Sequence, residues 1–269
     1  MYSGLTFTRY SGRIIGAHQQ IDRIARRHLK ELLPQSTFFP PARAILAFEG
    51  KNGPDGIKRK SPGQNEPWHF FDPLSEDADD YKHLLAVHYE GLVKELTLKN
   101  KERSAFEAAW LAHAVVDGLT PAHHFPYEQE ISRLRGGKTN DSRQTYREKL
   151  IFKGDTHRKT AHNMIEAWGP RGVFTAHFMF EWGFSFIIKP LRFPDARPKQ
   201  TDLRGIDSIG YQEYFMQAAR EIAMLDIYGQ FITKGWTSKL TRQIRQQLAP
   251  IMVRTVTTIW YQAAVEAGL

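Results

Sequence analysis

The amino-acid sequence predicts an all-α fold, a single-domain multi-helix bundle, on two observations. Apolar residues recur at three- and four-residue spacing in long stretches separated by Pro and Gly, which is the period of a helix with one buried face. No stretch alternates apolar and polar residues long enough to form a sheet, and no segment repeats another. The 269 residues, 41% hydrophobic and 12% aromatic, suffice for one sizeable core, so 1–269 reads as one domain.

Taken in order, Ile14, Ile15, Ile21, Ile24, Ala25, Leu29 and Leu32 mark a first helix, with Ser11 as a cap and Pro34 as its stop. Residues 49–80 are rich in Gly, Pro, Asn and charge without a sustained period, and read as a long loop of the kind that carries function. Leu84, Leu85, Val87, Leu92, Val93 and Leu96 mark a second helix. Phe106, Ala109, Trp110, Ala114 and Val115 mark a third, closed by Gly118 and Pro121.

The charged segment 133–153, with adjacent Gly136 and Gly137, reads as exposed with a short helix. His157 to Trp168 forms a helix ended by Gly169 and Pro170. Val173 to Leu191 is the most apolar stretch but is interrupted by His177, Glu181 and Lys189, so it reads as a buried helix rather than a membrane span. Tyr211 to Lys234 and Thr237 to Gly268 are long helical patterns, with Pro250 expected to kink the second.

Lys plus Arg exceed Asp plus Glu by 37 to 29, a net charge of +8 that favours anionic partners: phosphate esters, nucleic acid or lipid head groups. The absence of cysteine excludes disulfides, thiolate zinc fingers and a cysteine nucleophile, so any metal must be held by imidazole and carboxylate. No apolar run near the start has the length of a signal-peptide core, which makes a cytoplasmic location the expectation.

The chemistry concentrates in Trp110 to Tyr127, WLAHAVVDGLTPAHHFPY, where His113 and Asp117 lie four apart on one helix face and a turn at Pro121 brings His123 back toward them. His162 and Glu166 repeat that spacing in HNMIEAW. A His and a carboxylate four apart often form only a surface pair. Against that, Asp117 sits in an apolar run, where an unpaired carboxylate is costly and a metal offsets the cost. Taken singly, Asp55 in NGPDGIKRK is a turn residue, His69 in PWHFFDP an exposed ring and His18 a polar residue of the first helix. Asp22, four after His18, is placed to orient that ring. His124 follows His123 directly and points elsewhere, His157 lacks a carboxylate four residues on, and His177 among aromatics reads as packing.

In chain order the series is His18, Asp55, His69, then His113-x3-Asp117-x5-His123, then His162-x3-Glu166, and it resembles the zinc-dependent phospholipase C family. Related zinc nucleases that cut single strands share most of it, with Asp in place of the final Glu. The resemblance spans His18 to Glu166 and includes the fourteen-residue step from Asp55 to His69. It implies a bundle of the zinc-dependent phospholipase C and zinc nuclease type, holding two or three zinc ions. One zinc would take Asp55, His69, His113 and Asp117, a second His123, His162 and Glu166, and a third His18 with a share of Asp117. Two features depart from the pattern. The family's third zinc uses a mature N-terminal Trp, whereas this sequence begins Met1-Tyr2-Ser3 with no Trp before Trp68. The step from His123 to His162 is also longer than in the family, implying an insertion over 133–156.

The implied activity is zinc-dependent hydrolysis of phosphodiesters, first of all a phospholipase C acting on phospholipid head groups, with peripheral contact at a membrane surface. Asp55 would position or deprotonate the attacking water. The alternatives are a single-strand nuclease, with nucleic acid as substrate, and a noncatalytic helical protein with structural metal. Gly56 stands where the family has an aromatic head-group contact, which argues against choline preference. Trp68, Phe70 and Phe71 can contact a lipid, stack on a base or simply pack, and packing is the default. Lys58, Arg59 and Lys60 can guide an anionic substrate, though a solvated charge run is the commoner meaning of such a triplet.

Overall fold

In the computed structural model, residues 16–60, 70–75, 78–139 and 142–269 are described, and among them the protein is all-helical with no strand. The first helix, α1 (Ala17–Leu32), buries Ile21, Ile24, Ala25 and Leu29 on the face the periodicity assigned. Ser11, Ile14 and Ile15 lie outside the described residues. The short α2 (Ala42–Leu46), a 3-10 turn (Gly50–Asn52) and α3 (Pro54–Lys60) follow, so the expected loop from residue 49 begins as two compact turns. They are too short to show a period. Gly53 allows the reversal between them, because a Cβ there would meet the Phe48 carbonyl oxygen at 2.8 Å.

The second and third predicted helices are α4 (Asp79–Thr97) and α5 (Lys101–Gly118), joined by the tight turn 98–100 as a helical hairpin. Asn100 caps α5 by accepting the Arg103 N–H at 3.2 Å. Gly118 ends α5 where a Cβ would fall 2.5 Å from Phe215 and 2.7 Å from Tyr81. Tyr81 donates to the Ala114 carbonyl at 2.6 Å and stacks on Phe71, locking the end of α5 against α4.

A 3-10 turn (Pro121–His124) leads into α6 (Tyr127–Leu134), α7 (Arg147–Leu150) and α8 (His157–Trp168). Tyr127, Ile131 and Leu134 of α6, Phe152 beyond α7 and Ala167 of α8 build a satellite core, tied to the main one by a 2.6 Å hydrogen bond between the Tyr127 and Tyr228 hydroxyls. Helix α9 (Val173–Ile188) buries Phe180, Phe184 and Ile188 but exposes Phe178, Met179, Trp182 and Phe186, so the expectation of a buried helix holds for one face only.

The C-terminal half departs from two predicted long helices. The first is α10 (Gln200–Met224), kinked at Gly210 with φ 79°, followed by α11 (Ile227–Lys234) after Asp226 enters the left-handed region at φ 46°. The second divides into α12 (Ser238–Gln243), a π-helical turn (Ile244–Leu248) and α13 (Ala249–Glu266). Helical backbone runs on without a gap from Ser238 to Glu266 through all three, and Pro250 lies just past the π-helical turn where the helix leaves regular α geometry. The wider π-turn just before it accommodates a ring that would clash with the carbonyl four residues back in an α-helix. Helix α13 forms the central post, packed on α1, α4, α5 and α10. Trp260 on α13 is fully buried and donates its indole N–H to the Ala108 carbonyl of α5 at 3.1 Å, fixing α13 against the helix that carries His113 and Asp117.

Candidate metal centre

Helix α5 supplies the middle of the site. His113 and Asp117, one turn apart, meet with Nε2 3.3 Å from Oδ2, both buried. From α1, His18 brings its Nε2 to 3.2 Å from the other Asp117 oxygen, Oδ1, and its ring stacks on His113 with centroids 3.9 Å apart and planes 3° from parallel. The turn after α5 places His123 Nδ1 3.6 Å from that same Oδ1. From the first turn of α3, Asp55 Oδ1 stands 3.7 Å from His113 Nε2, with its side chain 30% exposed. The compact turn before α3 adds Glu49, fully buried, whose Oε2 accepts from His113 Nδ1 at 3.2 Å. That contact orients the ring so that Nε2 faces Asp117.

Helix α9 supplies the far side. Glu181 Oε1 lies 2.9 Å from His123 Nε2 and 2.8 Å from His177 Nε2, and the two imidazoles stand nearly parallel with centroids 5.1 Å apart. Two groups of donors result, His18 with His113 and Asp117, and His123 with His177 and Glu181, each close enough to hold a metal ion. Asp117 joins them, since its Oδ1 faces imidazoles of both.

The structure thus brings together His18, Asp55, His113, Asp117 and His123 of the predicted ligands, while His69 lies outside the described residues. It does not bring His162 and Glu166 to either group. Their 3.2 Å contact is on the surface of α8, with side chains 58% and 32% exposed, and Glu166 is shared with Arg133 at 3.1 Å. The pair is the surface ion pair that helical spacing alone often produces. Its place is taken by His177 and Glu181, which carry the same four-residue spacing on α9. Among the aromatics, Phe70 sets its ring 5.2 Å from His123 and 6.0 Å from His177, beside the second group. Phe71 packs on Tyr81 and Phe215 in the main core, and Trp68 lies outside the described residues.

Electrostatics suit a cation. Burial works to raise Asp117, yet nearby positive charge, to which His123, His113 and His18 contribute, holds the carboxyl well below its usual range. Burial likewise opposes ionisation of Glu181, yet nearby positive charge, to which His177 and His123 contribute, holds it well below its usual range. Burial pushes His123 down to about 3, leaving a neutral imidazole with a lone pair to offer. Burial would also lower His113, but Glu49 and Asp117 reverse the balance and raise it well above normal, which is the behaviour of a position that attracts positive charge. Asp22, buried on α1, moves the other way: burial and the neighbouring Glu49 raise it well above the carboxylate range.

The donor set passes a chemical test for a metal. Among the described residues, both nitrogens of buried His18, both oxygens of buried Asp22 and Oε1 of buried Glu49 make no hydrogen bond. Unsatisfied buried donors and acceptors are expensive, and a coordinated cation offsets that cost for the donors facing it. Imidazole nitrogen and carboxylate oxygen are the ligands left to a chain without cysteine. Comparison with models of protein families, with curated proteins and with solved structures finds no match to this chain. The class that fold and site define is therefore an all-helical protein with a buried His and carboxylate centre able to hold metal.

Proposed function

We propose that the protein is a zinc-dependent phosphoesterase that hydrolyses phosphodiester bonds in the manner of a phospholipase C, with phospholipid head groups as its substrate class. The observation that supports this best is Asp117, one buried carboxylate reaching imidazoles of both donor groups, as a carboxylate shared between closely spaced ions would. In this reading Asp55, His113 and Asp117, together with His69, would hold one zinc, His123, His177 and Glu181 a second, and His18 with Asp117 a third. Zinc held there supplies charge neutralisation of the phosphate oxygens and activation of water for in-line attack.

The chain's own residues do the rest. Glu49 holds the His113 ring in the tautomer that presents Nε2 toward Asp117. Asp55, partly exposed beside the buried donors, is placed to orient the attacking water and receive its proton. Water adds to phosphorus, the ester bond to the alcohol breaks, and the products are a phosphomonoester and an alcohol. Phe70 forms an apolar wall beside His123 and His177.

Hydrolysis of a chromogenic phosphodiester before chelation, after chelation and after zinc is restored tests the activity. Phosphatidylcholine vesicles and single-stranded DNA offered separately test the substrate class. Loss and recovery with zinc, and faster turnover of the lipid, are expected. Turnover of DNA alone would assign the site to a nuclease, and no hydrolysis in the zinc-loaded protein would refute the proposal.

A further inference from the structure

Large apolar side chains dominate the exposed face of α9. Phe178, Met179, Trp182 and Phe186 are 48%, 42%, 42% and 59% exposed. Their aromatic members form a ladder at four-residue spacing, with Phe178 5.8 Å from Trp182 and Trp182 5.4 Å from Phe186. One turn earlier Phe174 continues the row and stacks on the half-exposed Trp168 of α8 at 4.8 Å. The only charged residue in Val173–Ile188 is Glu181, and it is turned inward between His123 and His177. A row of large apolar side chains is ordinarily covered by protein or lipid, and this one lies at the surface.

Its opposite face is already committed, with Phe180 stacked on Trp236 at 5.7 Å and Gly183 so close to that indole that a Cβ would fall 2.3 Å from it. The exposed ladder is therefore held rigidly outward. Exposed cations flank it: Arg171 before the helix, Lys189 at its end and Arg192 beyond. Four such side chains at these exposures present on the order of 400 Å², taking roughly 200 Å² for each. That is about half the roughly 800 Å² per partner of a standard protein interface. Aromatic rings between cations are instead the pattern of a helix lying in the head-group region of an anionic lipid surface. No helix among the described residues is long and apolar enough to cross a membrane, so the contact is one of lying on the surface.

We propose that the Phe178–Trp182–Phe186 face of α9, flanked by Arg171, Lys189 and Arg192, docks the protein on an anionic phospholipid surface. The proposal depends on the phosphoesterase reading only for its purpose. Docking α9 would hold His177 and Glu181, on the same helix, within about one helix diameter (~10 Å) of the head groups.

The test is cosedimentation of the full chain with vesicles of phosphatidylcholine, with and without phosphatidylglycerol. Wild type is compared with a Trp182→Gln/Phe186→Gln variant and a Lys189→Glu/Arg192→Glu variant, all checked for fold by far-ultraviolet circular dichroism. Wild type should sediment with the anionic vesicles. Both variants should bind them about tenfold or more weakly, while hydrolysing a soluble chromogenic phosphodiester at the wild-type rate. Failure of wild type to bind either vesicle, or undiminished binding by the folded aromatic variant, would overturn the proposal. So would a dimer that forms through this face without vesicle binding, since that assigns it to a second copy of the chain. Vesicle binding by a protein inactive on every phosphodiester would uphold the docking surface and refute the phosphoesterase reading alone.

Discussion

Replacing Glu181 by Gln removes the one negative charge between His123 and His177 while keeping the side chain's size. In the structure a single oxygen, Oε1, serves both rings at 2.9 and 2.8 Å, and the side chain is only 11% exposed, so water cannot easily stand in for it. Perturbing a residue that merely orients a metal ligand costs about 10–100-fold in affinity. Loss of a charged ligand at this burial should reach at least the upper end, about a hundredfold or ~2.7 kcal/mol. His177→Ala, which removes a donor outright, should do the same. Glu166→Gln and His162→Ala change only an exposed surface pair worth about 0–1 kcal/mol and should leave metal affinity as it is. Competition titration of metal-free protein with a zinc-selective chelating dye reads all four directly. The reasoning fails if the His162 and Glu166 variants lose zinc affinity and the His177 and Glu181 variants do not.

Glu49→Gln should weaken zinc binding about 10–100-fold without changing the far-ultraviolet spectrum, since Glu49 fixes the His113 ring from behind; unchanged affinity in the same titration would contradict that role. Trp260→Ala should cost about 3–5 kcal/mol in urea unfolding, because a fully buried indole and its hydrogen bond to Ala108 are both lost. A loss below about 1 kcal/mol would show that α13 is not the central post. Burial pushes the His28 imidazolium below 6.5, only partly offset by the Phe193 carbonyl, so the unfolded chain binds more protons than the folded one. The stability tied to neutral His28 is therefore present above 6.5 and lost as pH falls from there through the lowered value. His28→Gln should flatten the pH dependence of unfolding below neutrality, and an unaltered slope would count against this account.

Helical periodicity made the bundle legible where helices are long and amphipathic, as in α1, α4 and α5. It did not reveal α2 and α3, which are too short to complete a pattern, nor the part of α10 that precedes Gly210, nor the break at Asp226, where one residue in the left-handed region interrupts an otherwise continuous apolar period. At the site, His113, Asp117 and His123 could be read from spacing because a buried acid in an apolar helix needs a partner. The same argument applied to Glu181, the single acid in the most apolar helix of the chain, and it would have found His177 four residues before it. The surrounding aromatics suggested packing instead, and the equally spaced His162 and Glu166 drew the assignment to an exposed face of α8. Spacing alone does not separate a ligand pair from a surface pair; the apolar context of the carboxylate does. Glu49 had no such signal, because its contact with His113 joins positions 64 apart through a turn with no period.

The most direct test of the central claim is X-ray diffraction from crystals of zinc-loaded protein on either side of the zinc absorption edge. The account predicts anomalous peaks about 2.0–2.2 Å from ligand atoms of His113 and Asp117, and of His123, His177 and Glu181, with Asp117 between them. The absence of zinc at this centre in crystals soaked to saturation, or a peak at His162 and Glu166 instead, would contradict it.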